Sequence, residues 1–558
     1  MPSTLAAAER FTADEERQLD PYFGNTDSPI FVLTNLPEAV KGALFARYSR
    51  SAKSARRLFL DEFLGDLAPA GEPAATGPGG ERAERLYTRV FNEYGDDSVA
   101  QLGGAHIACE GVSNVLTKVL ERGRLMSYLE QSTRYVPYTQ RPDGKWKYVV
   151  PGEIEDPDDR ALYVATLDRA FETYARWIEP LQAHFREQFP RAPGDSEGAH
   201  RAAIRAKALD TLRGLLPAAT RSNVGIYGSG QAYEALLLRM RAHPLAESRE
   251  VADLMLGELR KVIPAFVQRV DRTDRGVAWS RYLAARNRRG RAIASGTDPE
   301  LEWRDCLDET PPGAAADGAE VTLTEFDPDG EARVVAALLY PGSGLPHGRL
   351  LAAARAMPGE QRVAIIRAGV GTRSNRRQRP GRAFEQTTYT FDVLSDYGAF
   401  RDLQRHRMLT IEWQDLTARH GCAPPDPAVE AVDAVADWDR VTAESAALHE
   451  RLARRYAPEA AQYAVSMAFR IRFQMRMNAR EAMHVIELRT SPQGHPSYRR
   501  VCRKMHELIA HQAGHTAIAD AMRFVGRGDV DLERLAAEQA SERKRLARSS
   551  AGDRRADR

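Results

Sequence analysis

RHRMLTIEWQD, residues 405–415, has a partial copy in RGRLMSYLEQS, residues 122–132. In both stretches, seven residues follow a triplet that begins and ends with arginine, and a short polar residue comes next: Asp415 in one and Ser132 in the other. Such a match between two halves of one chain indicates an internal repeat. Helical and strand patterns occur in both halves, which predicts a fold of the α/β or the α+β class.

The length and the loop-like segments predict how the repeats are arranged. A chain of 558 residues is too long for one ordinary domain. A Pro/Gly/Ala-rich segment near the middle is typical of a linker, and a similar one at 66–83 is typical of a surface loop or insertion. We therefore expect a first repeat at 1–300, a linker at 301–320 and a second repeat at 321–535. The basic segment 536–558 has few apolar residues and is expected to be disordered.

Local periodicity predicts several elements. Apolar residues at helical spacing predict a long helix over 161–189. Residues 321–340 begin as an alternating strand, reach a turn at 327–330 and then become apolar. Residues 134–151 are expected to form two short strands around an Asp143-Gly144 turn.

Four basic or potentially basic residues recur at a spacing of four: Arg472, Arg476, Arg480 and His484. On a helix this spacing would form one stripe that turns slowly around the axis. Such a stripe would favour an anionic partner, which is either a set of nearby carboxylates or a phosphate-bearing ligand. In contrast, a solvated loop is the favoured interpretation of Arg376, Arg377 and Arg379, with a phosphate contact as the alternative.

Composition excludes several functional classes. The 79 basic and 77 acidic residues leave a net charge of +2, so we expect no nucleic-acid partner. No apolar run approaches the roughly 20 residues of a membrane span, and we expect no membrane partner. The four cysteines lack CxxC spacing, which argues against zinc, and no metal is expected. They are expected to be reduced, as in a cytoplasmic protein. Because only nine basic residues are lysine, arginine is so frequent that an arginine cluster alone is a weak signal.

Three blocks of residues carry a family resemblance. Residues 95–135 read GDDSVAQLGGAHIACEGVSNVLTKVLERGRLMSYLEQSTRY, residues 405–407 read RHR, and residues 478–489 read NAREAMHVIELR. These blocks resemble the central motif and the flavin-contacting helix of the flavin-dependent thymidylate synthases. The chain looks like a tandem fusion of two copies of that family's domain, which implies an α+β fold in which each copy combines a mixed sheet with flanking long helices.

The resemblance implies active sites that are shared between neighbouring copies. It implies that the nucleotide is bound by Glu130, Gln131, Ser132, Thr133, Arg134, Arg213 and Arg405. It implies that FAD contacts Ser98, Arg405, His406, Arg407, Asn478, Arg480 and His484.

The two copies have lost different parts of the motifs. Copy two has Asp415 in place of the motif serine and Gln462 near the place that Arg213 takes in copy one, whereas copy one has Gly123 in place of the motif histidine. We therefore expect one complete hybrid site per chain and an inactive mirror site. Because the family is homotetrameric, two fused repeats imply a homodimer.

The implied reaction is reductive methylation of deoxyuridylate to thymidylate, with methylenetetrahydrofolate as carbon donor, reduced FAD as hydride donor and NADPH as reductant. Carbon 5 of uracil is a poor nucleophile, and a fixed guanidinium would stabilise the more reactive ring anion. The resemblance assigns this role to Arg489, with Arg499 as an alternative. Two other functions stay open: methylation of another pyrimidine nucleotide, and a non-catalytic homologue that binds a nucleotide or flavin.

Overall fold

The computed structural model describes residues 9–66, 101–298, 301, 303–304, 318–528 and 532–556. Ser98, the predicted loop from residue 67 onward and most of the predicted linker lie outside these residues. The strands are β1 (Gly104–Ser113), β2 (Met126–Glu130), β3 (Arg221–Ser229), β4 (Val321–Phe326), β5 (Thr388–Asp396), β6 (Thr410–Trp413) and β7 (Arg470–Asn478).

The helices are listed here in chain order, and shorter 3₁₀ and π segments are named where they matter. They are α1 (Ala13–Leu19), α2 (Glu38–Tyr48), α3 (Ala55–Leu58), α4 (Asn114–Leu120), α5 (Pro157–Gln188), α6 (Glu197–Leu212), α7 (Gly230–Arg241), α8 (Ala246–Leu259), α9 (Pro264–Val267), α10 (Ala278–Ala294), α11 (Gly330–Ser343), α12 (His347–Ala356), α13 (Gly359–Val370), α14 (Tyr397–Leu403), α15 (Pro427–Ala431), α16 (Val435–Arg455), α17 (Pro458–Ala461), α18 (Ala479–Arg489), α19 (Pro496–His511), α20 (Thr516–Ala521) and α21 (Leu535–Ala556). Among the described helices, none combines the length and the apolar character that crossing a membrane requires.

The two sheets share one topology. The strand order is β1-β3-β2 in one sheet and β4-β5-β7-β6 in the other, so the second sheet repeats the first and adds an edge strand. Strand β7 pairs antiparallel with both of its neighbours, β5 and β6. Along the chain, β1-α4-β2 and β3-α7 correspond to β5-α14-β6 and β7-α18. The α+β prediction is confirmed, and the matching order agrees with an internal repeat.

Each of the four helices that follow these strands begins with a capping side chain. The side chains of Ser113, Ser229, Asp396 and Asn478 each accept a hydrogen bond from a backbone N–H in the first turn of the helix. Such a cap satisfies an N–H that has no partner within the helix. The caps therefore fix where α14 and α18 start, and these two helices carry Asp402 and Arg489.

The chain forms two compact units that do not follow the repeat boundary. One unit comprises residues 1–110, 123–130 and 223–304; the other comprises 111–122, 131–222 and 305–558. The second unit therefore contains part of each predicted repeat. Within it, Arg451 Nε donates to Asp159 Oδ1 at 2.6 Å, which joins α16 to α5. The repeat boundaries stay a prediction from sequence.

Two predicted elements are confirmed and one is wrong. The long helix is α5, which starts at Pro157 after an Asp156 cap, and residues 321–340 form β4 followed by α11. The two strands expected in 134–151 are absent, and only an isolated bridge joins Tyr148 to Thr220 there. Three prolines in this stretch remove the N–H donors that a strand pair needs.

The stripe at a spacing of four is also wrong. Arg472 and Arg476 lie on β7, and the helix starts only at Ala479, so the four residues do not share a helix face. Strand β7 alternates buried Ile471, Phe473 and Met475 with more exposed residues. This period of two was visible in the sequence, and it is the strand period.

The basic tail is helical over Leu535–Ala556, which differs from the disorder expected for 536–558. The segment is rich in alanine and arginine, which favour helices. It also has a tertiary contact, since Gln539 Nε2 donates to Asp195 Oδ1 at 2.6 Å. Composition alone therefore underestimated the order of this segment.

Candidate active site

A carboxylate, Asp402, lies among arginines in the second unit. Arg489 Nη1 lies 3.3 Å from Asp402 Oδ1, and Arg405 Nη1 lies 3.5 Å from the same oxygen. Arg213 Nη1 lies 3.8 Å from Asp402 Oδ2. Burial raises the pKa of Asp402, but the charges of Arg405, Arg489, Arg213 and Arg134 outweigh burial and lower that pKa. We call these four arginines, with Asp402 at their centre, the arginine cluster.

The arginine cluster draws two members from each predicted repeat. Arg134 and Arg213 come from the first repeat, and Arg405 and Arg489 come from the second. Arg134 Nε donates to Asp210 Oδ2 at 2.5 Å, while its Nη1 donates at 2.9 Å to the carbonyl of Gln493, in the loop after α18. Residues that the sequence places far apart therefore meet within one chain.

Two arginines of the cluster also face further carboxylates. Arg134 Nη2 forms an ion pair with Asp210 Oδ2. Arg213 is buried, and its Nη2 makes no hydrogen bond among the described residues, although Asp396 Oδ1 lies 3.9 Å away. A buried charged donor without a hydrogen bond is costly, so Arg213 Nη2 is available to a bound ligand.

The arginine cluster adjoins a histidine pair. Arg489 Nε donates to His406 Nε2 at 2.9 Å, and the rings of His406 and His484 lie 5.3 Å apart. Burial, together with the charges of Arg489, His484 and Arg379, holds the pKa of His406 well below its usual value. His406 is therefore neutral, which leaves Nε2 free to accept from Arg489.

Glu481 completes this neighbourhood. Its Oε1 lies 3.5 Å from His406 Nδ1, and burial raises its pKa to about 7 although Arg379 and Arg480 act in the opposite direction. Burial and the nearby arginines, Arg379 first, lower the pKa of His484 to about 4. Burial and the positive charges of the nearby arginines thus keep both histidines neutral.

The same three residues offer ligand atoms within 4.8 Å of one another, a spacing that would suit a metal ion. The positive charges of Arg379 and Arg480 beside Glu481 work against a cation at this point. The absence of a metal stays a prediction.

The other predicted site residues are less closely grouped. Ser132 Oγ accepts a hydrogen bond from the backbone N–H of Arg134 at 3.3 Å, so it lies at the edge of the cluster. Gln131 is half-buried and Thr133 is buried. Glu130 ends β2 and belongs to the other compact unit. Arg407 is exposed.

The predicted FAD contacts on α18 are already engaged with the protein. Asn478 Oδ1 accepts from the N–H of Glu481 at 2.9 Å as the helix cap. Arg480 Nε donates to the carbonyl of Pro380 at 2.9 Å, and its Nη1 lies 3.4 Å from Glu385. Arg499 is buried and donates to the carbonyl of Gly528 at 2.5 Å, outside the arginine cluster. Of the two candidate arginines, Arg489 therefore belongs to the arginine cluster and Arg499 does not.

A cavity of about 510 Å³ borders the arginine cluster. Arg213 lines it together with Asp210 and Asp396, and Trp438 and Met467 contribute apolar surface. This volume lies within the range of small-molecule sites. Among the predicted site residues that the structure describes, only Arg213 lines this cavity.

The residues expected at the mirror site satisfy one another. Gln462 Nε2 donates to Asp415 Oδ1 at 3.4 Å, and Gln462 Oε1 accepts from the N–H of Leu416 at 3.0 Å. Arg122, the first arginine of the degenerate triplet, lies 2.6 Å from Glu412 and stacks over Trp413 at 5.1 Å. These side chains therefore have partners within the protein.

Sequence reasoning missed the carboxylates of the site: Asp402, Asp210 and Asp396 were not singled out. Arg379 lies exposed in a loop, as predicted, and its charge still lowers the pKa of His406 and of His484. The position of Asp402 three residues before Arg405 was the available local signal, since it places a carboxylate close to the first arginine of the triplet. Asp210 and Asp396 join the site only through tertiary packing.

Comparison with known proteins identifies the family. The model of the family described as thymidylate synthase complementing protein matches residues 43–265 and 327–513. The chain belongs to this family, that of the flavin-dependent thymidylate synthases, and the match occurs in two segments. The resemblance seen in the sequence motifs is thereby confirmed.

Relatives exist both for the whole chain and for part of it. A UPF0159 protein of Chlamydia pneumoniae is 36% identical over 96% of this chain and 99% of its own length. A UPF0159 protein of Thermoplasma acidophilum is 30% identical over 89% of this chain and 97% of its own. A flavin-dependent thymidylate synthase of Clostridium tetani is 28% identical over 33% of this chain and 69% of its own. The chain is therefore similar to some relatives throughout and to others over about a third of its length.

Among solved structures, a UMP/dUMP methylase from Streptomyces cacaoi bound with 5-Br dUMP is 21% identical, with a TM-score of 0.30 over 38% of this chain and 97% of the other. A likeness of this size supports no further conclusion.

Proposed function

We propose that the chain is an FAD-dependent methyltransferase that converts deoxyuridylate to thymidylate at one hybrid site. The observation that carries the proposal is the arginine cluster, in which Arg134 and Arg213 from the first repeat meet Arg405 and Arg489 from the second around Asp402. Family membership supports nucleotide methylation as the reaction class.

The residues at the site fit a flavin dinucleotide and a pyrimidine. FAD carries two phosphates, and Arg379 and Arg480 supply positive charge beside the neutral His406 and His484. The Nη2 of buried Arg213, which makes no hydrogen bond among the described residues, provides a donor for the oxygens of a nucleotide. When bound, FAD would supply the hydride, with NADPH as its reductant and methylenetetrahydrofolate as carbon donor.

In this proposal Arg489 stabilises the negative charge that develops on the uracil ring. Its guanidinium is held by His406 on one side and faces Asp402 on the other, so it is positioned before the substrate binds. A preoriented cation of this kind lowers the energy of a developing anion without reorganisation. Ser132, Arg134 and Arg213 hold the nucleotide, and Arg405 contacts both nucleotide and flavin.

The cofactor is tested with Arg480→Ala. We expect this variant to fold but to bind FAD about tenfold more weakly, because a charge-assisted contact to the phosphates is lost. Arg476→Ala is the matched control, since Arg476 is an exposed arginine on β7. The measurement is the absorbance of bound flavin per chain after reconstitution with FAD. Equal flavin content in the two variants would remove Arg480 from the site, and a wild-type protein that binds no FAD would favour a non-catalytic homologue.

The hybrid site is tested with Ser132→Ala and Asp415→Ala. Removing a hydroxyl contact should weaken deoxyuridylate binding about tenfold, since such a contact contributes on the order of 1–3 kcal/mol. Asp415→Ala changes the corresponding position of the mirror site and should leave both binding and turnover unchanged. The measurements are calorimetric binding and release of tritium from carbon 5. If Asp415→Ala abolishes activity while Ser132→Ala keeps it, the roles of the two repeats are reversed.

We also propose that the chain assembles as a homodimer in the cytoplasm, so that four repeats replace four subunits. Light scattering that gave the mass of four chains would contradict this assembly.

A further inference from the structure

A buried carboxyl group, that of Glu481, lies behind the histidine that holds Arg489. Glu481 is in the first turn of α18, and its side chain is 7% exposed. Its Oε1 lies 3.5 Å from Nδ1 of His406, whose side chain is 4% exposed. On the other side of the same ring, Nε2 accepts from Arg489 Nε at 2.9 Å. Glu481 and His406 therefore form a series of contacts that ends at the proposed catalytic guanidinium.

This series of contacts defines which ring nitrogen of His406 carries the hydrogen. An arginine stays protonated in proteins, so Arg489 Nε donates and His406 Nε2 must be the acceptor. The ring is neutral, because burial and the charge of Arg489 hold the pKa of His406 well below its usual value. In a neutral ring whose Nε2 accepts, Nδ1 carries the single hydrogen. Nδ1 is the nitrogen that the carboxyl group of Glu481 approaches.

The Glu481 carboxyl group is not paired with an arginine. Arg480 precedes it directly but pairs with Glu385 at 3.4 Å. Within the part of the chain that the structure describes, His406 is the one basic side chain at ion-pair distance from Glu481. The cap of α18 uses the backbone N–H of Glu481, which donates to Asn478 Oδ1 at 2.9 Å, so the cap does not need the carboxyl group. Burying a carboxyl group costs stability, and one without either of these structural roles is a candidate for a functional role.

We propose that Glu481 is a positioning residue, which accepts the Nδ1–H of His406 and thereby keeps Nε2 free to hold the guanidinium of Arg489. This inference rests on the proposed function for the role of Arg489. Burial raises the pKa of Glu481 to about 7, but the ionised and the protonated carboxyl group both keep an oxygen that can accept a hydrogen bond. The contact is therefore available on both sides of neutral pH.

Two substitutions of Glu481 test this role through turnover. Glu481→Leu removes the acceptor, and a catalytic group that is misplaced by about 1 Å can lose roughly a hundredfold in rate. We expect kcat, measured as tritium release from carbon 5 of deoxyuridylate, to fall by about tenfold or more. KM should change little, because Ser132, Arg134 and Arg213 are untouched. Glu481→Gln is the matched control: its amide oxygen can accept the same hydrogen bond, so this variant should keep most of the turnover. Equal turnover of Glu481→Leu and the wild type, or an equal loss in both variants, would overturn the proposal.

A second measurement does not depend on turnover. Nitrogen-15 spectra of histidine-labelled protein distinguish the two neutral ring forms, and the signals of His406 are those that disappear in His406→Gln. We expect hydrogen on Nδ1 in the wild type and a mixture of both forms in Glu481→Leu. Hydrogen on Nε2 in the wild type, or an unchanged ring form in Glu481→Leu, would contradict the positioning role. If the wild-type protein releases no tritium, the proposed function fails, while the ring-nitrogen spectra still decide the role of Glu481.

Discussion

Arg489→Ala is expected to lower turnover by about a hundredfold or more, as the loss of a preoriented electrostatic donor does in other enzymes. Arg489 ends α18, donates to His406 and faces Asp402, so its guanidinium is fixed where ring charge would develop. Three other arginines still surround Asp402, and the fold should therefore survive the change. The measurement is tritium release from carbon 5 of labelled deoxyuridylate, at a nucleotide concentration that saturates the variant.

Arg239→Ala is the matched control, because Arg239 lies near the end of α7, the helix of the first repeat that corresponds to α18. It should leave turnover unchanged if the first repeat has lost its flavin-binding half. A large loss with Arg239→Ala and none with Arg489→Ala would place the chemistry at the mirror site.

Arg373→Met is expected to lower the free energy of unfolding by about 3–5 kcal/mol, the usual effect of breaking a buried ion pair on one side. The side chains of Arg373 and Glu487 are 2% and 1% exposed, and Arg373 Nη1 lies 2.8 Å from Glu487 Oε1. The same Nη1 donates to the carbonyl of Ala521 at 2.8 Å. Glu487 lies two residues before Arg489, so this pair anchors the helix that carries the proposed catalytic arginine.

Denaturant unfolding of two further variants distinguishes the effect of leaving a buried charge unpaired from the effect of changing the side-chain packing. Arg373→Met combined with Glu487→Leu should recover most of the lost stability, because an apolar pair can replace a buried ion pair at little cost. Arg500→Met breaks an Arg–Glu pair in which Arg500 is 58% exposed, and it should cost less than about 1 kcal/mol. If the double variant is no more stable than Arg373→Met, the hydrogen bond to Ala521 matters more than the charge pair.

The local sequence was sufficient for the elements whose signal lies within a few residues. The two arginine triplets and the helix motif at 478–489 identified the family, and α5 was visible from its apolar spacing. Its start at Pro157 follows from an aspartate cap and a proline in the first turn, both of which are local. Residues 472–476 carried two conflicting patterns, and the prediction followed the wrong one. Arginines spaced by four suggested a helix, but the alternating apolar residues belong to strand β7.

Only the tertiary structure decided how the active-site candidates meet. The sequence separates Arg213 from Asp402 and Arg134 from Gln493 by long stretches, yet each pair is in contact or close to it. Sheet register and the packing of α5 against α16 determine such contacts, and neither is encoded within a few neighbouring residues. The arginine motifs therefore indicated a site for anions, whereas the structure placed a carboxylate at its centre, because a fold that brings four guanidinium groups together, two of them buried, must also supply countercharge.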